Sequence, residues 1–411
     1  MQSIKKPELL APAGNLIKLK TALQYGADAV YMGGESFSLR NASDNFSEDE
    51  IKYGIDYAKA HGKNAYIAAN IIMRDRDFDS LYHFFRDVYD AGADAVIIAD
   101  PGAISIVKDA APNLKIHIST QANTTNSKTA DMWHSLGASR VILARELSEA
   151  EIRNICANTH DDLEIEIFVH GAMCISYSGR CLLSNYMAGR DANRGECAQS
   201  CRWKYSLVEE KRPGEYMPVY ENDSGSFFFN SKDLCLIEFI PELANLGVSS
   251  LKIEGRVKSE YYVATVVKAY REELDRYFEN PEKYTLDKRN LEELCKVSHR
   301  EYFHGFFKGP PLNEGQIYNT SSYIRDYDVV GIVTECDREG NAVIEQRNKF
   351  SKGDEIEILC PKGDFIKMTV EAMYDDNGDE IQSAPHPVMT VKMKLPEYVP
   401  QNSMLRKRKS V

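Results

Sequence analysis

Four of the nine cysteines, Cys174, Cys181, Cys197 and Cys201, fall within 28 positions, and Cys235 follows after 33 intervening residues. Their spacings are C-x6-C, C-x15-C and C-x3-C. Three chemistries compete for such a group. Disulfides need an oxidising compartment, and the opening stretch has no apolar run of the kind that directs export. Cysteines acting as small buried hydrophobes suit Cys156, Cys295, Cys336 and Cys360, which stand singly among apolar or helical neighbours. The grouped cysteines are flanked instead by Gly, Ser, Asn and Arg. Thiolates bind zinc or iron–sulfur clusters, and the lack of a C-x2-C pair weighs against a zinc ribbon. Long, irregular spacings suit a metal or cluster gathered by a folded loop. Metal ligation leads, with structural thiols and disulfides as alternatives. His170 precedes Gly171 at the end of an apolar run. It reads either as a general acid/base or as a histidine hydrogen-bonded beneath the cysteines. Cys174 with His170 could also imitate the Cys–His pair of a peptidase, although no HExxH or GxSxG motif supports proteolysis.

Those residues need a scaffold that brings distant segments to one mouth. Over the first 255 residues, short apolar strands alternate with amphipathic helical stretches, the cadence of βα units with parallel strands. The pattern predicts strands over 7–12, 28–32, 64–69, 94–99, 115–120, 140–144, 164–169 and 250–253. Gly26, Gly92 and Gly137 close helical stretches, where glycine supplies the left-handed residue that turns the chain back. Eight such strands predict a (β/α)8, TIM-like barrel. An open doubly wound sheet is the alternative, and it lacks a GxGxxG after the first strand. The barrel is expected over residues 1–280, with a Cys-rich insertion at 172–240. A helical linker is expected over 281–325, and turn signals predict a small antiparallel β-barrel domain over 326–411.

In such barrels the working residues lie at the C-terminal ends of the strands. Those ends carry Glu35 and Arg40, Asn70, Asp100, Gln121 with Asn123, Arg145 with Glu146, and His170, then Lys252, Glu254 and Arg256. Any one reads equally well as a rim salt bridge or a helix cap. Together they predict a polar cavity. His170, Lys252 and Glu254 are the catalytic candidates, and Arg145, Arg256, Asn70 and Gln121 the substrate-binding ones. Arg194 and Arg202, beside the cysteines, could balance a negatively charged thiolate centre or hold phosphates and carboxylates.

The run HGAMCISYSGRC followed by NRGECAQSCRWKY resembles the signature of the peptidase U32 family, matching at His170, Gly171, Cys174, Ser178, Gly179, Cys181, Arg194, Gly195, Cys197, Cys201 and Arg202. The likeness extends to PELLAPAGN (7–15), GADAVYMGG (26–34) and SLKIEGRVKS (250–259), and so covers nearly the whole chain. Members were first described as collagenase-like peptidases. Others carry an oxygen-sensitive 4Fe-4S cluster and serve hydroxylation of tRNA, ribosomal RNA or ubiquinone. The resemblance implies 5-hydroxylation of the tRNA wobble uridine, with prephenate, a small carboxylate donor, as co-substrate. Prephenate's two carboxylates make Arg145 and Arg256 candidate anchors. Four ligands suffice for the cluster. Cys174, Cys181, Cys197 and Cys235 are expected to supply them, with Cys201 as substitute. Three readings stand open: an RNA hydroxylation enzyme, a peptidase, and a cluster-carrying subunit that serves a partner protein of the same family.

The 411-residue chain has 43% apolar residues, ordinary for a soluble globular protein, and no run long and apolar enough to span a membrane. A cytoplasmic location follows as an expectation. Its net charge of −12 excludes a global basic field for nucleic acid, so RNA contact must come from a local patch. Residues 172–205 form one, with five Lys/Arg against two Asp/Glu. The basic tail Arg406-Lys407-Arg408-Lys409 reads as a solvated terminus.

Overall fold

The computed structural model describes residues 5–39, 45–174, 176–203, 231–315, 317 and 323–409, with four two-residue strands between 207 and 226. All eight expected strands form: Glu8–Pro12, Ala29–Met32, Asn64–Ala69, Ala95–Ile98, Lys115–Ile118, Arg140–Ile142, Glu164–Ala172 and Ser250–Ile253. Each pairs in parallel with the next, and the eighth pairs with both the seventh and the first, which closes the barrel. The doubly wound alternative is excluded. Gly26, Gly92 and Gly137 all adopt positive φ at the expected turns.

Strand alternation divides the apolar residues between two layers. Ala29, Tyr31, Tyr66, Ala95 and Ile97 fill the barrel interior. Val30, Met32, Ile67, Val96 and Ile98 join the cluster under the helices. The seventh strand breaks this parity. Lys252 pairs with Phe168, but Ile253 pairs with His170, so Val169 is an extra residue and the strand bulges there. One extra residue moves every later side chain to the opposite face. The bulge therefore turns His170 away from the interior and toward the helix Glu260–Glu279.

A short strand, Asp233–Cys235, returns antiparallel along the extended end of the seventh strand, with Cys235 opposite His170. The segment expected as a linker over 281–325 is instead part of the barrel's shell. Tyr302–Phe303 pairs with Asp233–Cys235. The fully buried Arg300 donates from Nε to Asp233 Oδ1 at 3.0 Å, and Leu294, Val297 and Phe307 join the barrel's apolar cluster.

From Tyr327 onward the chain forms the expected antiparallel module, an eight-stranded curled sheet around its own core, with Val330, Ile344, Phe350 and Ile358 buried. Its last strand, Met404–Arg408, departs from expectation. Arg406 is fully buried, not solvated. It reaches the barrel's Glu293 at 2.6 Å, donates to Tyr261 Oη at 3.1 Å, and bonds Glu357 of its own sheet at 2.8 Å. No described helix is long and apolar enough to cross a membrane.

Candidate active site

The C-terminal mouth of the barrel holds a cavity of about 150 Å³. Its floor is Tyr31, Ala68, Ile97, Ile142, Phe168 and Lys252. Asn70, Ser119, Gln121, Arg145, Glu254 and Arg256 form its rim. The loop after the seventh strand roofs it with Cys174, Tyr177, Gly179, Cys181, Cys197 and Cys201. The polar cavity expected from the strand ends is present, and the four grouped cysteines share one of its walls.

The roof is fastened at three places on the rim. Beyond the sixth strand, Arg145 donates to Ala172 O, and Glu146 Oε1 accepts from Ser178 N at 3.2 Å. Beyond the fifth, Gly179 lies so close that a Cβ there would stand 2.2 Å from Gln121 O, and its φ is positive as well. Only glycine satisfies both constraints. Beyond the third, Arg194 grips Asp77 with both guanidinium arms at 2.8 and 3.0 Å and donates to Ile72 O at 2.7 Å. Arg194 is thus a clamp and not a substrate ligand, which corrects the sequence expectation. The same bonds hold the Asp77 carboxyl below its usual range. Arg202 also spends a donor locally, on Gln199 Oε1 at 2.8 Å and Tyr323 Oη at 3.0 Å, and does not line the cavity.

The cysteines divide differently from expectation. Cys235 shares the outward face with His170, is buried, and lies against Tyr270. Burial pushes its thiol up to about 12. Cys235 does not line the cavity, whereas Cys201, the expected substitute, does. Burial raises the Cys201 thiol, and its neighbours Cys174, Cys197 and Cys181 raise it further, each opposing a second negative charge nearby. Cys197 Sγ accepts from Gln199 N at 3.4 Å. Four thiols lining one cavity and an amide donating to sulfur fit a metal cluster.

His170 does not reach the cavity. It is 1% exposed, ringed by Tyr262, Tyr270 and Tyr302, and its Nδ1 lies 3.4 Å from Tyr270 Oη. Burial lowers its pKa to about 3. It is a neutral structural histidine, and neither general acid/base catalysis nor a Cys174–His170 pair follows from this placement.

Lys252 and Glu254 do line the cavity. Beneath them runs a charge ladder inside the barrel. Lys252 Nζ bonds Glu166 Oε1 at 2.8 Å, Glu166 Oε2 bonds Arg140 at 2.9 Å, and Arg140 reaches Glu8 at 2.7 Å. Burial pulls the Lys252 ammonium down, opposed by Glu166. Burial would raise the Glu166 carboxyl, but Lys252 and Arg140 outweigh it and hold it below its usual range. Glu166 and Arg140 were not singled out from sequence. The signal lay in Glu164-Ile165-Glu166-Ile167, whose alternation puts both carboxylates on one face of the strand, with Glu166 fully buried inside the barrel.

Arg145 stacks on Phe168 at 4.3 Å, and its Nε has no partner among the described residues. Gln121 Oε1 and Glu146 Oε2 are likewise unpartnered there. Arg256 is buried, with Nη1 donating to Ser38 Oγ at 2.7 Å. Gly33 makes room for it, since a Cβ there would lie 2.0 Å from that nitrogen. Asn70 bridges Ser119 Oγ at 3.0 Å. Asp100 is a helix cap, accepting from Gly102 N, and Glu35 is exposed. Arg40 lies outside the described residues.

Comparison with known proteins places this geometry in a family. Peptidase family U32 matches residues 14–317, and the peptidase family U32 C-terminal domain matches residues 325–406. The chain is 44% identical to the "tRNA hydroxylation protein P1" of Bacillus subtilis, over 98% of this chain and 96% of that protein. It is 38% identical to "tRNA hydroxylation protein P" of Escherichia coli, over 98% and 97%. It is 34% identical to the "23S rRNA 5-hydroxycytidine C2501 synthase" of Escherichia coli, over 66% of this chain and 40% of that protein.

Proposed function

The chain belongs to peptidase family U32, and from that premise we propose that it is an RNA hydroxylation enzyme acting on tRNA. The finer reading is 5-hydroxylation of the wobble uridine, with a 4Fe-4S cluster and prephenate. The observation that carries the reading is that Cys174, Cys181, Cys197 and Cys201 line one cavity together with Arg145, Lys252 and Arg256. The names borne by the full-length relatives support RNA as the substrate class.

A cluster held by these thiolates supplies one-electron chemistry beside the substrate. The remaining work belongs to the chain's own side chains. Arg145, with an uncommitted Nε and an aromatic face behind it, is placed to hold one carboxylate of a dicarboxylate donor. Arg256 and Lys252 present positive charge to the rest of that donor. Glu166 and Arg140 hold Lys252 upright at the cavity floor. Gln121 and Asn70 offer amides to a pyrimidine edge beneath the docked roof. His170 supports the seventh strand from behind and touches no substrate.

The proteolytic reading finds no support in the placement of His170. The test is genetic. A strain lacking this chain, and any redundant relative, should lose wobble modifications derived from 5-hydroxyuridine. A Cys174→Ser copy should fail to restore them. A normal tRNA modification profile in the deletion strain would overturn the reading. Cleavage of casein or gelatin that disappears with Cys174→Ala would favour the peptidase.

A further inference from the structure

The roof of the cavity carries unusually exposed apolar side chains. Tyr186 is 86% exposed, Leu182 74%, Tyr177 56% and Trp203 43%. Large apolar groups gathered on a surface mark a binding site, and aromatic faces are the costliest to leave in water. The group is held in place. The helix Leu183–Ala188 presents Tyr186, and it packs on the turn Ser200–Arg202 that leads to Trp203. Ser184 Oγ accepts from Ala198 N at 3.0 Å and joins the two pieces.

Charge identifies the partner. Arg180 and Arg190 are exposed among these aromatics, and neither forms an ion pair with a described residue. The segment is basic in a chain of net charge −12, so its cations are not a sample of the general surface. Aromatic faces interleaved with arginines are what a single-stranded nucleic acid requires, with bases stacking on rings and phosphates meeting guanidinium groups. Geometry adds a reason. Tyr177 both lines the cavity and faces solvent, so the platform begins at the cavity's lip. A base reaching a cavity roofed by the Cys loop must leave its stack, and its neighbours then need new faces to stack on.

We infer that Tyr177, Tyr186 and Trp203, with Arg180 and Arg190, form a stacking platform for the unpaired nucleotides flanking the target base. This rests on the RNA reading above and adds where and how the RNA is held. The occupant is a single-stranded loop and not a duplex, whose bases are already stacked.

The experiment uses full-length protein purified without oxygen and a labelled anticodon stem-loop, read by fluorescence anisotropy. Tyr186→Ala and Trp203→Ala should each weaken binding about tenfold, within the range for losing one base–aromatic stack. Tyr186→Phe and Trp203→Phe, which keep an aromatic face, should bind within a few-fold of wild type. Visible absorption from the metal centre should be unchanged in all four. A fully paired hairpin stem should compete poorly. If wild type binds and modifies tRNA while the alanine variants bind it equally well, the platform is wrong and the enzyme reading stands. If wild type binds no RNA and the deletion strain keeps its modifications, both fall. Unchanged RNA affinity with lost association to a protein partner would make the patch a protein interface and overturn the inference.

Discussion

Cys201 and Cys235 carry the same thiol in different surroundings. Cys201 lines the cavity with three other cysteines, whereas Cys235 is buried behind the seventh strand against Tyr270. Cys201→Ser should therefore abolish or sharply reduce bound iron in anaerobically prepared protein, from about four atoms per chain. Cys235→Ser should keep the iron and cost only about 1–2 kcal/mol of stability, for burying a hydroxyl. Iron analysis beside denaturant titration separates the two, and loss of iron in Cys235→Ser alone would reverse the assignment. His170 makes a prediction of a different kind. Its folded pKa of about 3 lies below the ordinary 6.5, so the folded state favours the neutral ring. The contribution is complete above pH 6.5 and is lost progressively as pH falls from 6.5 toward 3. Over that window the unfolding free energy should decline by about 1.4 kcal/mol per pH unit from this group. A His170→Gln variant, less stable at neutral pH, should show a shallower decline. Equal slopes in the two proteins would contradict a buried neutral histidine.

Among the elements, the roof loop has a definite fastening. Arg194 bonds Asp77 bidentately and also holds Ile72 O, so the loop closes on the segment beyond the third strand. A charged hydrogen bond of this sort contributes about 2 kcal/mol, which is about thirty-fold in the opening equilibrium. Arg194→Ala should therefore release iron to a chelator roughly tenfold or more faster. Unchanged release would mean the loop is held elsewhere. The partner explains why this role was hidden in the sequence. Asp77 lies 117 residues upstream of Arg194, and only the closed barrel brings them together. The strands themselves were legible, because apolar runs bounded by Gly-Ala turns recur at regular intervals and local sequence decides such turns. His170 was misplaced for a reason of pairing. Alternation assigns His170 to the interior, and the bulge at Val169 reverses the parity of everything beyond it. No local pattern announces that extra residue, which arises from pairing with a strand some 80 residues away.

At the scale of the whole molecule, the barrel and the C-terminal module are one cooperative body more than two units joined by a linker. The residues between them complete the barrel's shell through Arg300, Leu294 and Phe307. The module's last strand then sends Arg406 back to the barrel. That guanidinium is fully buried, with the Glu293 and Glu357 carboxylates nearly so, at 11% and 13% side-chain exposure. Tyr25 adds a second tie, donating to Leu359 O at 2.9 Å from the barrel's first helix, and Ile332, Leu359 and Met404 of the module belong to the barrel's apolar cluster. Removing one member of a buried ion pair strands the others without a counter-charge, at about 3–5 kcal/mol. Arg406→Ala should lower the stability of the whole chain by that amount, and Arg406→Lys should recover only part, because one ammonium cannot serve two carboxylates and a tyrosine in a fixed plane. Cutting the chain before Asp326 should be worse still, since it also exposes the apolar seam. The readout is thermal or denaturant unfolding followed separately by a near-ultraviolet signal and by visible absorption from the bound metal. Both should shift together in Arg406→Ala. A truncated barrel that melts like the intact protein, or an Arg406→Ala variant in which only the module unfolds early, would show that the module is an independent appendage after all.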